Sequence, residues 1–100
     1  ILERVARVLE HEVRKYDIVA RFGGEEFFVM LPAAHLNTGK RIAERLRKSV
    51  FEDSYLKKYK ISISLGVATY KEKDNFERIS KRADKALYKA KRGGRNKVEW

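Results

Sequence analysis

The chain contains no cysteine, and that absence excludes disulfide bonds and metal sites built on thiolates. It fits a reducing compartment such as the cytoplasm. There is one proline and no low-complexity segment, so nothing in the sequence indicates a linker. No apolar run approaches the roughly 20 residues that a membrane span needs, and no signal-peptide pattern opens the chain. The 100 residues make one domain at most.

Acidic residues are in the minority. The chain has 24 Lys and Arg residues against 14 Asp and Glu residues, which gives a net charge of +10. Such a balance implies anionic partners: nucleic acid, phosphorylated small molecules or an anionic surface. The first residues already look like the interior of a helix, and there is no start methionine. We therefore expect the sequence to begin partway through a larger protein.

The spacing of apolar residues predicts alternating helices and strands. Helices are expected at 1–15, from about 37 to 51 and at 76–91, and strands at 17–22, 27–31, 60–69 and 96–100. The element order is α-β-β-α-β-α-β. Helices interleaved with a largely antiparallel sheet make an α+β sandwich.

Several expectations concern the edges and faces of these elements. Asn37 or Thr38 should cap the second helix, and Phe51 should lie on its inner face. The segment 52–58 should be a polar connection. Phe76 should face inward on the last helix, which the glycines after residue 92 should end.

Two of the predicted strands have distinctive faces. The strand at 27–31 is apolar on both faces, so it should lie inside the sheet with cover on each side. One face of the segment 60–69 carries only small residues, among them Gly66. A helix or a ligand could therefore approach its backbone closely.

The most informative stretch lies between the first two strands, where Gly23-Gly24 is followed by Glu25-Glu26. A Gly-Gly pair between strands is typical of a tight hairpin, and the acids could simply be solvated. However, a site that holds a divalent cation beside phosphates needs bare backbone and hard oxygen ligands. Neighbouring strand residues point to opposite faces, so at most one of the two glutamates could bind a metal directly.

Charged pairs elsewhere leave alternatives open. Lys91 and Arg95 could clamp a triphosphate, or could belong to a solvated basic helix face. Arg14 and Asp17 could form a local ion pair that closes a turn. They could equally present a guanidinium and a carboxylate to a guanine edge.

Four blocks in order resemble the GGDEF domain of diguanylate cyclases. Residues 21–27 are similar to the family signature in its Glu-Glu form, and residues 42–47 to the helix that follows. Residues 62–68 are similar to the next strand, and residues 83–96 to the C-terminal signature. The resemblance implies a palm-like nucleotidyl cyclase fold. It also implies condensation of two GTP into cyclic di-GMP, with release of two pyrophosphates, by two subunits that face each other.

The resemblance also assigns roles to the residues of the hairpin and of the last helix. Glu25 would bind Mg²⁺ and help to deprotonate the attacking 3′-hydroxyl, and Glu26 belongs to the same catalytic signature. Gly23 and Gly24 would let the backbone approach the nucleotide. The terminal phosphates would be held by Lys91 and Arg95.

A second group of residues resembles a product-inhibition site. Arg14 and Asp17 match the family's RxxD motif at its usual spacing before the signature. Arg45 occupies the position that contributes a second arginine to this site. Cyclic di-GMP is thus an expected ligand as well as the expected product.

The resemblance predicts that residues 1–100 are a single, partial domain, roughly the C-terminal 60 per cent of a whole one. The family's first strand and helix, which carry a metal-binding aspartate and the groups that read guanine, would then be missing. We expect an upstream sensor domain, a gap that strand exchange with another chain could fill, and no activity from residues 1–100 alone.

Two other functions are compatible with the sequence. The first alternative is a non-catalytic receptor that binds cyclic di-GMP through Arg14, Asp17 and Arg45. A basic nucleic-acid binder ranks last, because the basic residues are scattered over helices and the aromatic residues mostly fall at core spacing. No nucleic-acid partner is therefore expected, and the absence of a long apolar run means that no membrane is expected as a partner within this segment.

Overall fold

Four helices and four short strands make up the computed structural model, which describes residues 1–100. The helices are α1 (Leu2–Glu12), α2 (Leu36–Glu52), α3 (Ser54–Lys58) and α4 (Phe76–Arg92), and the strands are β1 (Ile18–Phe22), β2 (Glu26–Met30), β3 (Leu65–Gly66) and β4 (Val98–Glu99). The predicted α+β class is confirmed. None of the helices combines the length and apolar composition that a membrane crossing requires.

The core lies where α1 packs against α2. Apolar residues three or four positions apart form a stripe on each helix, as expected of helices with one buried face. The buried cluster contains Val5, Leu9, Ile42, Leu46, Val50 and Leu56. This cluster is the support for the hairpin and for the segment that precedes β3.

Strands β1 and β2 form an antiparallel hairpin in which Ile18 pairs with Met30 and Phe22 with Glu26. Because side chains alternate along a strand, the hairpin has two faces. The inner face packs on the core cluster through Val19, Phe27 and Val29.

The outer hairpin face carries Ile18, Phe22, Phe28 and Met30, and it is largely open to solvent. Ile18, Phe22 and Met30 are 49%, 56% and 46% exposed. Only Phe28 is partly covered, because its ring lies 4.9 Å from that of Phe22 and 5.4 Å from that of Phe76. The prediction that the second strand is covered on both sides is therefore wrong.

Strands β3 and β4 form a separate sheet and run parallel, with Leu65 paired to Val98. Helix α4 connects them, because parallel strands need a long crossover. The prediction of one largely antiparallel sheet is therefore wrong for this half of the chain. The predicted strand 60–69 is also reduced to the two residues that find a partner.

Gly66 lies directly beneath α4. A β-carbon at this position would lie 2.2 Å from the carbonyl oxygen of Ala83 and 2.3 Å from the backbone nitrogen of Leu87. No side chain fits that space. The predicted close approach of a helix to the small-residue face of this segment is thus confirmed.

The polar connection expected at 52–58 is wrong, because most of it forms α3. Asp53 caps this helix by accepting a hydrogen bond of 3.0 Å from the Leu56 backbone N–H. Arg4 binds the same carboxylate from α1, with its Nη2 at 2.8 Å from Oδ1. These contacts join α1 to α3, while the Leu56 side chain is fully buried in the core.

Other boundaries and faces also differ from the prediction. Helix α2 begins at Leu36 after an N-cap at His35 that makes no side-chain bond, so neither Asn37 nor Thr38 is the cap. Phe51 and Phe76 are exposed rather than inward-facing. Helix α1 ends at Glu12, three residues before the predicted end.

We expect Gly66→Ala to lower the free energy of unfolding by about 1–3 kcal/mol, the usual cost of overpacking a site that cannot relax freely. Urea unfolding followed by circular dichroism would measure it. Gly24→Ala is the matched control, because a β-carbon there meets nothing within 4 Å and the backbone φ is not positive. Equal unfolding midpoints for the two variants would contradict the close approach of α4.

Candidate functional site

The turn between β1 and β2 consists of Gly23, Gly24 and Glu25, because the strand pairing ends at Phe22 and Glu26. Gly23 has a φ of +60°, a conformation that glycine adopts without steric cost. The Arg21 guanidinium donates hydrogen bonds of 3.0 and 2.8 Å to the Gly24 carbonyl oxygen. Arg21 thus fixes the shape of the turn from the strand side.

Glu25 therefore lies in the turn and not on a strand as predicted. As a result, strand alternation does not determine how the Glu25 and Glu26 side chains point relative to each other. Both side chains are exposed, and neither makes a salt bridge or a hydrogen bond within the chain. Two adjacent carboxylates are thus available to a ligand at the tip of the hairpin.

Gly24 has no structural reason within this chain to be glycine. Its φ is not positive, and a β-carbon there would meet nothing within 4 Å. Gly66, in contrast, is required by the α4 backbone above it. The open space over Gly24 leaves the backbone of the turn free for close approach by a ligand.

No group of three or more His, Asp or Glu side chains comes together in a way that could hold a metal ion. Glu25 and Glu26 are nevertheless hard oxygen donors, the type that Mg²⁺ prefers. Mg²⁺ usually takes one or two protein carboxylates and completes its shell with phosphate oxygens and water. The hairpin tip therefore fits part of a magnesium site.

Helix α4 ends at the two glycines, as the sequence predicts, in a Schellman motif with Gly93 as the C-cap and Gly94 as the residue of positive φ. The Arg95 N–H donates to the Ala90 carbonyl at 3.0 Å and the Gly94 N–H to the Lys91 carbonyl at 3.4 Å. Lys91 thus lies in the last turn of the helix, and Arg95 lies in the turn beyond it.

Lys91 and Arg95 are both exposed, and their side chains have no partner within the chain. No salt bridge joins either of them to Glu25 or Glu26. The structure thus presents an acidic turn and a basic turn without direct contact between them. Any ligand that uses both must bridge the space between the hairpin tip and the end of α4.

Arg14 and Asp17 form the local ion pair that was one of the two predicted alternatives. The Arg14 Nη2 lies 2.9 Å from Oδ1 of Asp17, and the Arg14 backbone N–H donates to Oδ2 at 2.7 Å. Arg14 also donates to the Pro32 carbonyl oxygen at 3.1 Å, which ties the end of the hairpin to this turn. The Asp17 side chain is fully buried. Its carboxylate is therefore not presented to a guanine edge, while the guanidinium remains partly exposed.

Arg45 reaches the same region from α2. Its guanidinium donates to the Glu12 carbonyl oxygen, and its Nε lies 3.5 Å from Oε2 of Glu12. Hydrogen bonds from Arg14 hold the pKa of Asp17 below its usual range, and the positive charge of Arg45 lowers it further. The structure thus brings Arg14, Asp17 and Arg45 together at the junction of α1, β1 and α2.

Two supporting contacts were not predicted from the sequence. Arg21 fixes the hairpin turn, and Arg47 donates a hydrogen bond of 3.0 Å to Oδ1 of Asn96, beside Arg95. The three-residue spacing between Arg21 and Gly24 is a weak sequence signal for the first contact, because an arginine side chain can reach the carbonyl oxygen of a turn residue three positions later. Nothing in the sequence pairs Arg47 with Asn96.

The family model for the diguanylate cyclase GGDEF domain matches residues 1–97. This chain belongs to the GGDEF family. The match includes the hairpin tip, the α1–β1 junction and the basic turn after α4.

Similar proteins support this assignment. Diguanylate cyclase A of Treponema denticola is 44% identical over 102 residues, an alignment that covers 98% of this chain and 28% of that protein. The active GGEEF domain of a diguanylate cyclase from Vibrio cholerae superposes with a TM-score of 0.85 at 31% identity, over 98% of this chain and 64% of that one.

A third similar protein has a ligand. The coiled coil and GGDEF domain of DgcB from Caulobacter crescentus, in complex with c-di-GMP, superposes with a TM-score of 0.83 at 30% identity. That alignment covers 98% of this chain and 55% of the solved one. The GGDEF chain described here thus spans less than two thirds of the length of these relatives.

Asp17→Asn should destabilise the domain most at neutral pH. Because the folded-state pKa of Asp17 is lowered, its contribution to stability is fully present above the unfolded value of about 3.9 and is lost as the pH falls through the folded value. Urea midpoints at pH 7 and at about pH 2.5 would measure this. The gap between the wild type and the variant should shrink at the lower pH.

The matched control is Asp84→Asn, on an exposed aspartate of α4 that has no ion-pair partner. It should leave the midpoint unchanged at both pH values. A gap between wild type and Asp17→Asn that stayed constant with pH would contradict the role given to the ion pair.

Proposed function

We propose that this GGDEF domain takes part in the condensation of two GTP into cyclic di-GMP, and that the hairpin tip is its catalytic turn. The observation that carries the proposal is the open backbone at Gly24 beside the unpaired carboxylate of Glu25. The fold does not need a glycine at position 24. A nucleotide that lies against the turn would need one, because a β-carbon would occupy the space that the nucleotide fills. The basic turn after α4 supplies the opposite charge that a triphosphate requires.

In this reaction the 3′-hydroxyl oxygen of each GTP attacks the α-phosphorus of the other, and the bond to pyrophosphate breaks. The hydroxyl proton leaves to a base, a role for which Glu25 is the candidate, with Glu26 in the same signature. Lys91 and Arg95 would hold the terminal phosphates and neutralise the charge of the leaving group. Phosphoryl transfer depends mainly on such positioning and charge stabilisation.

Mg²⁺ is the proposed cofactor, with Glu25 as its protein ligand. A bound divalent cation would neutralise phosphate charge and orient the reacting groups. The hairpin tip itself offers only Glu25 and Glu26 for that purpose, so the other ligands would be phosphate oxygens, water or groups outside the tip. Because the family's first strand, with its metal-binding aspartate, would be missing, we expect residues 1–100 alone to be inactive.

Further parts of the proposal concern the assembly. We expect residues 1–100 to act as a single, partial domain of a larger protein, with an upstream sensor domain that controls it. Two such domains, each with one GTP, would face each other in a homodimer, and strand exchange could complete the sheet. Because GTP is a cytoplasmic nucleotide, we expect the reaction to take place in the cytoplasm.

Binding of cyclic di-GMP to the α1–β1 junction is the second candidate function. Arg14 and Arg45 each present a partly exposed guanidinium there, which suits the phosphates or guanine edges of such a ligand. The relative from Caulobacter crescentus was solved with this ligand. A receptor without catalysis would use this site alone, but the intact hairpin tip favours a cyclase that is inhibited by its product.

Glu25→Gln in the intact protein should lower the rate of cyclic di-GMP formation from GTP and Mg²⁺ by about 100-fold or more. That is the scale seen when one group that stabilises developing charge is removed. Chromatographic measurement of the product would test it. Glu72→Gln, on an exposed glutamate without a partner, is the matched control. Full activity of Glu25→Gln would overturn the assignment of the catalytic turn.

Arg14→Ala and Arg45→Ala should each weaken the binding of cyclic di-GMP about tenfold, because each removes a charge-assisted hydrogen-bond donor. Isothermal calorimetry on the intact protein would measure the dissociation constants. Arg41→Ala is the control, since Arg41 is exposed on α2 one turn before Arg45. Unchanged binding in both test variants would remove the product-inhibition assignment without affecting the catalytic one.

A further inference from the structure

The turn that follows α4 has an unusual backbone. Gly94 has a φ of +114°, and it is followed by two non-glycine residues with positive φ, Arg95 at +64° and Asn96 at +49°. Asparagine tolerates the left-handed region better than most residues, but arginine does not adopt it readily. A turn of this kind persists only where surrounding contacts hold it.

Asn96 is the residue through which those contacts act. Its backbone N–H donates to Oγ of Ser64 at 3.1 Å, and its side-chain Oδ1 accepts from Nη1 of Arg47 at 3.0 Å. Arg47 is itself fixed by two hydrogen bonds of 2.8 and 2.7 Å to the Glu44 carboxylate. Asn96 is thus bound both to α2 and to the segment that precedes β3.

Arg95 lies between two fixed points. On one side its N–H is bound to Ala90 at the helix end, and on the other side Asn96 is held by Arg47 and Ser64. Its own side chain is exposed and touches no carboxylate. The direction in which the guanidinium leaves the backbone is therefore set by its neighbours and not by a partner of its own.

We propose that Asn96 is a positioning residue that, held by Arg47 and Ser64, fixes the left-handed backbone of Arg95 and so aims its guanidinium at the terminal phosphates of the nucleotide. This inference rests on the proposed function, in which Arg95 binds those phosphates. Asn96 does not touch the ligand itself. Its effect should appear only for ligands that carry the phosphates and only while Arg95 is present.

The test is a double-mutant cycle in the intact protein, with Asn96→Ala, Arg95→Ala and the double variant. Calorimetry would measure the binding of a non-hydrolysable GTP analogue and of GMP, which lacks the terminal phosphates. Asn96→Ala should weaken binding of the analogue about tenfold and leave binding of GMP unchanged. Interaction energies between contacting residues are usually of this size. In the Arg95→Ala background, Asn96→Ala should have no further effect.

A second variant, Ser64→Ala, removes only the acceptor of the Asn96 N–H and protects the test against loss of folding. It should also weaken binding of the analogue without changing binding of GMP, but by a smaller factor than Asn96→Ala. Arg92→Ala is the control for general charge, because the Arg92 guanidinium lies over the Tyr88 ring, 5.6 Å from its centre. It should leave the phosphate selectivity unchanged.

The possible results distinguish failure of the positioning role of Asn96 from failure of the proposed phosphate site. If Arg95→Ala weakens binding of the analogue but Asn96→Ala does not, the positioning role is overturned and the proposed function stands. Equal weakening of GMP, or an undiminished effect in the Arg95→Ala background, would likewise overturn it. If the wild type does not bind the analogue, or Arg95→Ala does not weaken it, the proposed phosphate site fails and the positioning role fails with it.

Discussion

The packing of α1 against α2 is the contact on which the rest of the structure depends. Only ten of the 100 residues are buried, and six of them form the cluster between α1, α2 and α3. The inner hairpin face and the segment before β3 both lie on this cluster. Hydrophobic stabilisation scales with the apolar area removed from water. So small a core contributes little to the free energy of unfolding. The hairpin tip and the turn after α4 are therefore held by few apolar contacts and need polar ones as well.

Arginine supplies much of that polar support. Asp17, Asp53 and Asp74 each accept a backbone N–H of their own turn and also bind a guanidinium, which comes from the same turn for Asp17 and from another helix for Asp53 and Asp74. In the last of these, Arg82 on α4 also donates to the Thr69 carbonyl oxygen at 2.7 Å. A planar guanidinium suits this task, since it can serve a carboxylate and a carbonyl in one fixed arrangement. The pairs hold loops in place, while Arg95 is left without an acidic partner.

The sequence predicted the features that depend on local chemistry. The hairpin, the end of α4 at Gly93 and the close approach at Gly66 all follow from glycine or from the spacing of apolar residues. Features that depend on distant partners were predicted wrongly. Helix α3 is only five residues long, too short to show periodicity, and the Asp53 carboxylate that caps it is bound by Arg4 from α1. The parallel pairing of β3 with β4 depends on the tertiary fold, and the alternation of apolar and small residues along one strand does not indicate it.

The candidate site shows the same division. Glycines and acids in one stretch marked the hairpin tip, and the spacing of Arg14 and Asp17 marked the second region. The burial of the Asp17 carboxylate could not be predicted, because it depends on how α1 enters the hairpin. The bonds of Asn96 to Arg47 and Ser64 join residues far apart in sequence, and only the folded chain brings them together.

The open outer hairpin face has a consequence for the behaviour of the chain in solution. Its exposed apolar side chains favour self-association, as exposed apolar patches do. The net charge of +10 opposes this, because like-charged molecules repel. Screening shortens that repulsion to about 10 Å at 0.1 M salt. Colloidal stability should therefore fall as ionic strength rises, and dilute buffers of low salt should keep the chain dispersed.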